Sequence, residues 1–170
     1  MSIKTAIFLT PIFVFMLTSQ ALADENLESA KRLFGAGKYH DAIRFVKKVT
    51  EEQPTIEEAW LLLGDCYAGL EKNEKAIRAY QRVIRINAEH AGAIFRVGAS
   101  FTRLGQHSKA IEAYKRVVRI QPQHAQAHFY LGVSYDRLGR IGHAFEHYKI
   151  LKTLDESLAD ELYRIILGSS

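Results

Sequence analysis

Residues 76–90 read AIRAYQRVIRINAEH, and residues 110–124 read AIEAYKRVVRIQPQH. The two segments align without a gap at a shift of 34 residues. The same frame finds AFEHYKILKTLDESL from Ala144 and, upstream, AIRFVKKVTEEQPTI from Ala42. A fixed period of this size is typical of stacked supersecondary units, each too small to bury its apolar face alone. The sequence therefore predicts a repeat array.

Small and large apolar residues recur at fixed places within the period. Residues such as Trp60, Leu63 and Tyr67 have the spacing of one buried helix face, and a second stripe follows around Tyr80 and Val83. Small residues sit between the large ones, and we expect them to meet where the paired helices cross. These small residues are Ala30, Gly64, Gly98 and Gly132, each followed twelve residues later by Ala42, Ala76, Ala110 and Ala144.

Glycines fall between the paired helices in three copies, at Gly37, Gly105 and Gly139. Glycine adopts the left-handed conformation that commonly ends a helix. Glu71 occupies this place in the second copy. We expect Gly69 to end the helix there instead.

The first 23 residues have the composition of a secretory signal peptide. Lys4 provides a positive start, residues 6–17 are almost wholly apolar, and Ala21-Leu22-Ala23 forms a small-residue cleavage site. An uncleaved membrane anchor is the alternative, although the apolar run is shorter than the ~20 residues that a spanning helix needs. We expect cleavage after Ala23, a repeat domain over 24–170 and a periplasmic location.

The repeated positions resemble those of the tetratricopeptide repeat family, whose W-x2-L-G-x2-Y run is present from Trp60 to Tyr67. The resemblance implies an all-α, right-handed α-solenoid of about four helix-turn-helix units. Leu158, Leu162 and Ile166 share one side of the last segment, which predicts a capping helix at about 158–167. The units are expected at about 24–56, 57–90, 91–124 and 125–158.

The resemblance also implies a concave groove that binds another protein or an extended peptide. In the family this groove is formed by the second, fifth, ninth, twelfth and thirteenth positions of each copy. The alternative is that Phe95 and Phe129 belong to the core while Arg103 and Arg137 pair with acidic neighbours. With Tyr163 from the last helix, the predicted groove residues are Glu58, Leu61, Asp65, Ala68, Gly69, Gly92, Phe95, Ala99, Thr102, Arg103, Gln126, Phe129, Val133, Asp136, Arg137 and Tyr163.

Four histidines offer a metal-binding alternative. His124 and His128, like His143 and His147, are four residues apart, so each pair can share a helix face. No carboxylate or cysteine pattern completes a ligand set, and we expect no cofactor. Phosphate-binding loops, nucleophile elbows and the His-Glu-x-x-His form are absent from the sequence, so we expect no enzymatic activity.

Charge argues against one class of partner, and the cysteine count argues against a disulfide. The chain has 170 residues, with 23 Lys and Arg against 19 Asp and Glu. The basic residues recur at helical spacing, as on a solvated helix face, so we expect no nucleic-acid partner. Cys66 is the only cysteine, which excludes an intramolecular disulfide.

Together these patterns predict a non-catalytic scaffold or adaptor in the periplasm, acting in envelope assembly, secretion, or pilus or organelle biogenesis. A metal-binding or metallochaperone-type accessory protein is the alternative. The second alternative is a membrane-anchored, self-assembling scaffold. It requires that the N-terminal segment is kept, and that the apolar end Ile165-Ile166-Leu167 drives self-association.

Overall fold

The computed structural model describes the backbone of residues 10–168 and the side chains of residues 20–168. Over this stretch the chain forms nine helices joined by short turns. The helices are α1 (Thr10–Gly35), α2 (Tyr39–Glu52), α3 (Glu57–Gly69), α4 (Asn73–Ile86), α5 (Ala91–Arg103), α6 (His107–Ile120), α7 (Ala125–Arg137), α8 (Ile141–Leu154) and α9 (Glu156–Gly168).

The helices pack in chain order. Each helix packs against the next one, and α7 also packs against α9. Helices α3, α5 and α7 begin at Glu57, Ala91 and Ala125, so the helix pairs repeat at the 34-residue interval of the sequence. The predicted all-α solenoid of helix pairs is confirmed.

The interior glycines of the first helices leave space for a large side chain. A Cβ atom at Gly64 would lie 2.3 Å from Cε1 of Tyr80, and one at Gly98 would lie 2.7 Å from Cε1 of Tyr114. Both tyrosines are buried on the second helix of the same unit. The atoms nearest to such a Cβ atom belong to the tyrosine, whereas the sequence suggested the repeated alanine as the neighbour of the glycine.

The turns between paired helices use the left-handed conformation in every copy. Gly37, Gly105 and Gly139 have positive φ angles, and so does Glu71, with φ 59°. Gly69 is the last residue of α3, as expected, but it does not take the left-handed conformation, because the positive φ angle of this turn lies at Glu71. The turn geometry, and not the residue type, sets the conformation at Glu71.

Gly69 has a different role, because it makes room for a ring of the first unit. A Cβ atom there would lie 2.8 Å from the ring of Tyr39.

Cys66, one turn earlier, is fully buried. Burial raises the pKa of its thiol to about 12, with a further contribution from the charge of Asp65. The thiol therefore stays protonated and acts as a small core side chain.

Helix α1 continues through the predicted cleavage position. Ala23 has no exposed surface and packs in one core cluster with Leu27 and Ala30. Within the described part of the chain, no helix combines the length and the apolar character that crossing a bilayer requires. Residues 1–9 of the predicted signal peptide lie outside the described residues.

Helix α9 covers the end of the stack, as the capping helix was expected to do. Leu162 is fully buried, and a Cβ atom at Gly132 of α7 would lie 2.4 Å from its Cδ2. Ile166 is 1% exposed, whereas Leu167 is 54% exposed. The buried side of α9 thus closes the core, and one apolar residue at its end remains open to solvent.

Candidate peptide-binding groove

An open groove of about 700 Å³ lies along the first helices of successive units. It begins where α1 meets α2 and extends over α3 and α5 to α7. Its lining residues are Phe34, Tyr39, Asp65, Ala68, Gly69, Tyr80, Gly92, Phe95, Arg96, Ala99, Ser100, Arg103, His124, Gln126 and Tyr130.

Phe95 is the centre of a rigid aromatic wall. Its ring stacks on His124 with 5.1 Å between the ring centroids, and it meets Tyr130 edge-on at 5.7 Å. Behind it, the ring of Tyr114 lies 5.4 Å away. The His124 ring is fixed because its Nδ1 accepts the backbone N–H of Ala127 and caps α7. This wall is therefore held in place before any ligand binds.

The polar floor of the groove is organised around Asp65. Its Oδ1 accepts a hydrogen bond of 2.7 Å from the Tyr80 hydroxyl and one of 2.8 Å from Nε of Arg96. Burial raises the pKa of Tyr80, and the negative charge of Asp65 raises it further. The Tyr80 hydroxyl thus remains a donor, and the charge of Asp65 is matched by Arg96.

Arg103 supplies a second guanidinium to the groove. It is exposed at the last position of α5. Within the described part of the chain it forms no ion pair, in contrast to Arg96. Gln126 is also exposed at the start of α7. Among the described residues of the groove, Arg103 is thus a cation without an acidic partner, and Gln126 adds an exposed amide that a ligand can contact.

Some of the residues predicted from the second and third units line the groove, and the others do not. Leu61 is half-buried against core residues, and Glu58 forms an ion pair of 2.8 Å with Lys31. The Thr102 hydroxyl donates to the carbonyl of Gly98. The predicted residues that line the groove are Asp65, Ala68, Gly69, Gly92, Phe95, Ala99, Arg103 and Gln126, the last from the fourth unit.

The other predicted residues of the fourth unit and of α9 lie outside this groove. Phe129 and Asp136 are 8% and 5% exposed, and the Phe129 ring packs edge-on against Tyr130. Val133 is half-buried in the same core cluster. Arg137 is exposed, and the ring of Tyr163 packs 5.2 Å from that of Tyr148. Phe129 thus occupies the core position that the alternative hypothesis gave it.

Arg96 and Tyr130 are groove residues that the sequence did not reveal. Both are the sixth residue of their copy, one place after the predicted Phe95 and Phe129. The equivalent residue of the second copy is the apolar Leu62. The first copy has Glu28 at this place, so the residue types at this position follow no constant pattern that predicts a groove residue. The alternative hypothesis paired Arg103 with an acidic neighbour. In the structure Asp65 pairs with Arg96, and not with Arg103.

The histidines pair between helices. Nδ1 of His128 lies 3.0 Å from Nδ1 of His147, and Nε2 of His128 lies 2.9 Å from the carbonyl oxygen of Pro122. His128 therefore donates from Nε2 to that carbonyl, and its Nδ1 accepts the proton of His147. Burial lowers the pKa of His147 to about 4, with contributions from the charges of His128, His143 and Lys115.

This arrangement differs from the histidine pairs expected from the sequence. His124 stacks on Phe95 in the groove, whereas His128 is buried, so these two are not partners. His143 and His147 do share a helix face, because both rings stack on Tyr135. Across the residues that the structure describes, no three His, Cys, Asp or Glu side chains are grouped to hold a metal ion.

Comparison with known proteins agrees with this architecture. One family profile, described as TPR repeat, matches residues 98–139, and another, described as Tetratricopeptide repeat, matches residues 33–94. No curated protein matches the sequence.

Several solved structures of MamA have the same fold. One crystal structure of MamA is 28% identical, with a TM-score of 0.77, and the match covers 87% of each chain. Another is 30% identical, with a TM-score of 0.75, and covers 81% of this chain and 75% of that one. The MamA RS-1 ArsTM double mutant is 20% identical, with a TM-score of 0.75 and coverage of 86% and 93%, and this likeness concerns the fold alone.

Proposed function

Because this chain belongs to the tetratricopeptide repeat family, we propose that it is a non-catalytic scaffold that holds an extended segment of a partner protein in the groove. Stacked helix pairs form extended surfaces that proteins of this architecture use for binding. The match to MamA is consistent with a protein-interaction scaffold.

The observation that carries this proposal is the pre-formed wall around Phe95, with Arg103 about two helical turns further along α5 in the same groove. A rigid aromatic surface binds an apolar side chain at a small cost in conformational entropy. Arg103 has no acidic partner among the described residues, so it can pair with an acidic group of the ligand. The partner segment therefore carries an apolar or aromatic residue and, a few residues along the chain, an acidic one.

Blocking the groove tests this function. Ala99 is half-buried on α5 and lines the groove, so Ala99→Arg places a long side chain into it without removing a core contact. The matched control is Ala88→Arg at an exposed turn position outside the groove. We expect affinity capture from the native envelope fraction to recover a partner with the wild type and with Ala88→Arg, but not with Ala99→Arg.

Circular dichroism of both variants shows whether the helices are retained. Equal capture by all three proteins would place partner binding outside the groove. Phe129 is unsuitable for this experiment, because its substitution would disturb the core.

We also propose that the protein is exported and acts in the periplasm, in envelope assembly, secretion, or pilus or organelle biogenesis. The charged start, apolar run and small-residue site of residues 1–23 support export. Since Ala23 is buried within α1, cleavage there has to precede folding of the first unit. The intact mass of the natively expressed protein tests this, and a mass that includes residues 1–23 would refute cleavage after Ala23.

A further inference from the structure

A second pocket, of about 330 Å³, lies between α2 and α4 with α3 beneath it. It shares no lining residue with the groove. Its apolar base is formed by Trp60, Leu63, Tyr67 and Ala79. Its remaining lining residues are all basic: Lys47, Lys75, Arg78 and Arg82.

The aromatic rings of this pocket hold two of the cations in position. The Arg82 guanidinium lies 5.5 Å from the centre of the Trp60 ring, and Nζ of Lys75 lies 5.7 Å from that of Tyr67. Trp60 is itself fixed, because its indole N–H donates to the carbonyl oxygen of Pro54 at 2.9 Å. Since cations cover these rings, the pocket is built for an anion and not for a stacked base.

The lining of the pocket contains four basic side chains and no acidic one. Across the residues that the structure describes, none of the four basic side chains forms an ion pair. Lys75, Arg78 and Arg82 lie on α4 at spacings of three and four residues, where like charges repel each other. An anion bound among them would remove this repulsion.

The next unit shows that the repeat itself does not require this arrangement. Thirty-four residues further along the chain, Ile94 occupies the place of Trp60 and Glu112 that of Arg78. Gln81 likewise occupies the place of Lys47. The next unit keeps two of the four cations: Lys109, which lies 5.5 Å from the ring centre of Phe101, in place of Lys75, and Arg116 in place of Arg82. The full set of four converging cations, with the tryptophan beneath it, is thus not repeated in the next unit.

We propose that this pocket binds a phosphoryl group, carried either by a soluble phosphate ester or by a phospholipid headgroup. The planar guanidinium groups of Arg78 and Arg82 match the geometry of phosphate oxygens, and lysine contributes a point charge. A phosphate monoester carries more negative charge than a carboxylate, and the phosphodiester of a headgroup carries one charge but offers two free oxygens to the guanidinium groups. This site is independent of the groove and of the partner proposed for it.

Trp60 makes the binding measurable, because it is the only tryptophan of the chain. We expect pyrophosphate to change the tryptophan fluorescence of the full chain in a saturable manner. The variant Lys75→Gln/Arg78→Gln removes two cations but leaves Arg82 over the reporter ring. We expect it to raise the Kd by at least about tenfold, since charge-assisted hydrogen bonds are lost.

The matched control is Lys109→Gln/Lys115→Gln, which removes the same charge from exposed positions of the next unit. It should bind pyrophosphate as the wild type does. Circular dichroism checks that both variants keep their helices. An equal loss of affinity in the two variants would overturn the proposal, because general charge attraction would then explain the binding. Equal affinity for citrate, or a response that does not saturate, would overturn it as well.

Vesicles separate the two sources of the phosphoryl group. Co-sedimentation with phosphatidylglycerol vesicles that is lost in Lys75→Gln/Arg78→Gln, and is displaced by pyrophosphate, identifies a phospholipid headgroup. Saturable pyrophosphate binding without such co-sedimentation assigns the pocket to a soluble phosphoryl compound and not to a headgroup. Phosphatidylcholine vesicles serve as the uncharged reference.

Discussion

Gly64 leaves the space that the ring of Tyr80 occupies, and this ring cannot easily move aside. Its hydroxyl is held by Asp65 at 2.7 Å, and the residue is 2% exposed. We expect Gly64→Ala to lower the free energy of unfolding by about 1–3 kcal/mol through overpacking, reduced in part by the better helix propensity of alanine. Urea unfolding followed by circular dichroism measures this change.

Gly142 provides the control for that substitution. It lies in α8, and a Cβ atom there would have no neighbour within 4 Å. Gly142→Ala should therefore raise the free energy of unfolding by about 0.5–1 kcal/mol through helix propensity alone. If both substitutions stabilise the protein, close packing is not the reason for the glycine at position 64.

Glu71 has a backbone conformation that favours glycine. Its φ of 59° is costly for a residue with a side chain, although its N–H donates to the carbonyl of Ala68 as the N–H of Gly105 does to Thr102. We expect Glu71→Gly to stabilise the protein by about 1 kcal/mol. Thermal unfolding measures this gain in stability. Gly105→Ala is the reverse substitution at the equivalent turn and should destabilise the protein. Stabilisation by Gly105→Ala would contradict this explanation.

At the scale of helices, the contact between α7 and α8 depends on pH through His147. The pKa of this residue falls from 6.5 to about 4 in the folded chain. Between these values the unfolded chain binds a proton that the folded chain does not. The contribution of the buried, neutral His147 to stability is therefore complete above pH 6.5 and is lost as the pH falls towards 4.

We expect His147→Gln to unfold less readily than the wild type does when the pH is lowered through this range. Urea midpoints measured between neutral pH and pH 4 test it. His40→Gln, at an exposed position of α2, is the control and should follow the wild-type curve. A His147→Gln curve parallel to that of the wild type would show that another group carries the acid sensitivity.

The helices could be predicted from the sequence, whereas the contacts between them could not. Helical spacing and the period of 34 follow from local backbone geometry, and the bounds of α3, α5 and α7 agree with them. The contacts of His128 with His147, and of Arg96 with Asp65, also depend on how two helices cross and on which rotamers fit. Spacing along one helix carries no information on either.

At the scale of the whole molecule, stability is local because helices contact mainly their neighbours in the chain. Leu162→Ala should cost about 2–5 kcal/mol, since this side chain is fully buried over Gly132. We expect the faster amide hydrogen exchange that results to be concentrated in α7, α8 and α9, with little change in α1 and α2.

Leu167→Ala is the control at an exposed position of the same helix and should leave the exchange pattern unchanged. Uniformly faster exchange over all units in Leu162→Ala would show that the stack unfolds as a single cooperative block.

The way α9 occupies the last unit has a consequence for the size of the array. Over Gly132 lies Leu162 of α9, where the second and third units place a tyrosine of their own second helix. The equivalent Tyr148 packs against Tyr163 instead. The side chain that fills the space over Gly132 thus comes from α9, which lies outside the repeats. A duplicate of residues 91–124 inserted after residue 124 would meet natural neighbours on both sides. The molecule is in this sense extensible in whole modules, and each added module would lengthen the binding surface by one more first helix.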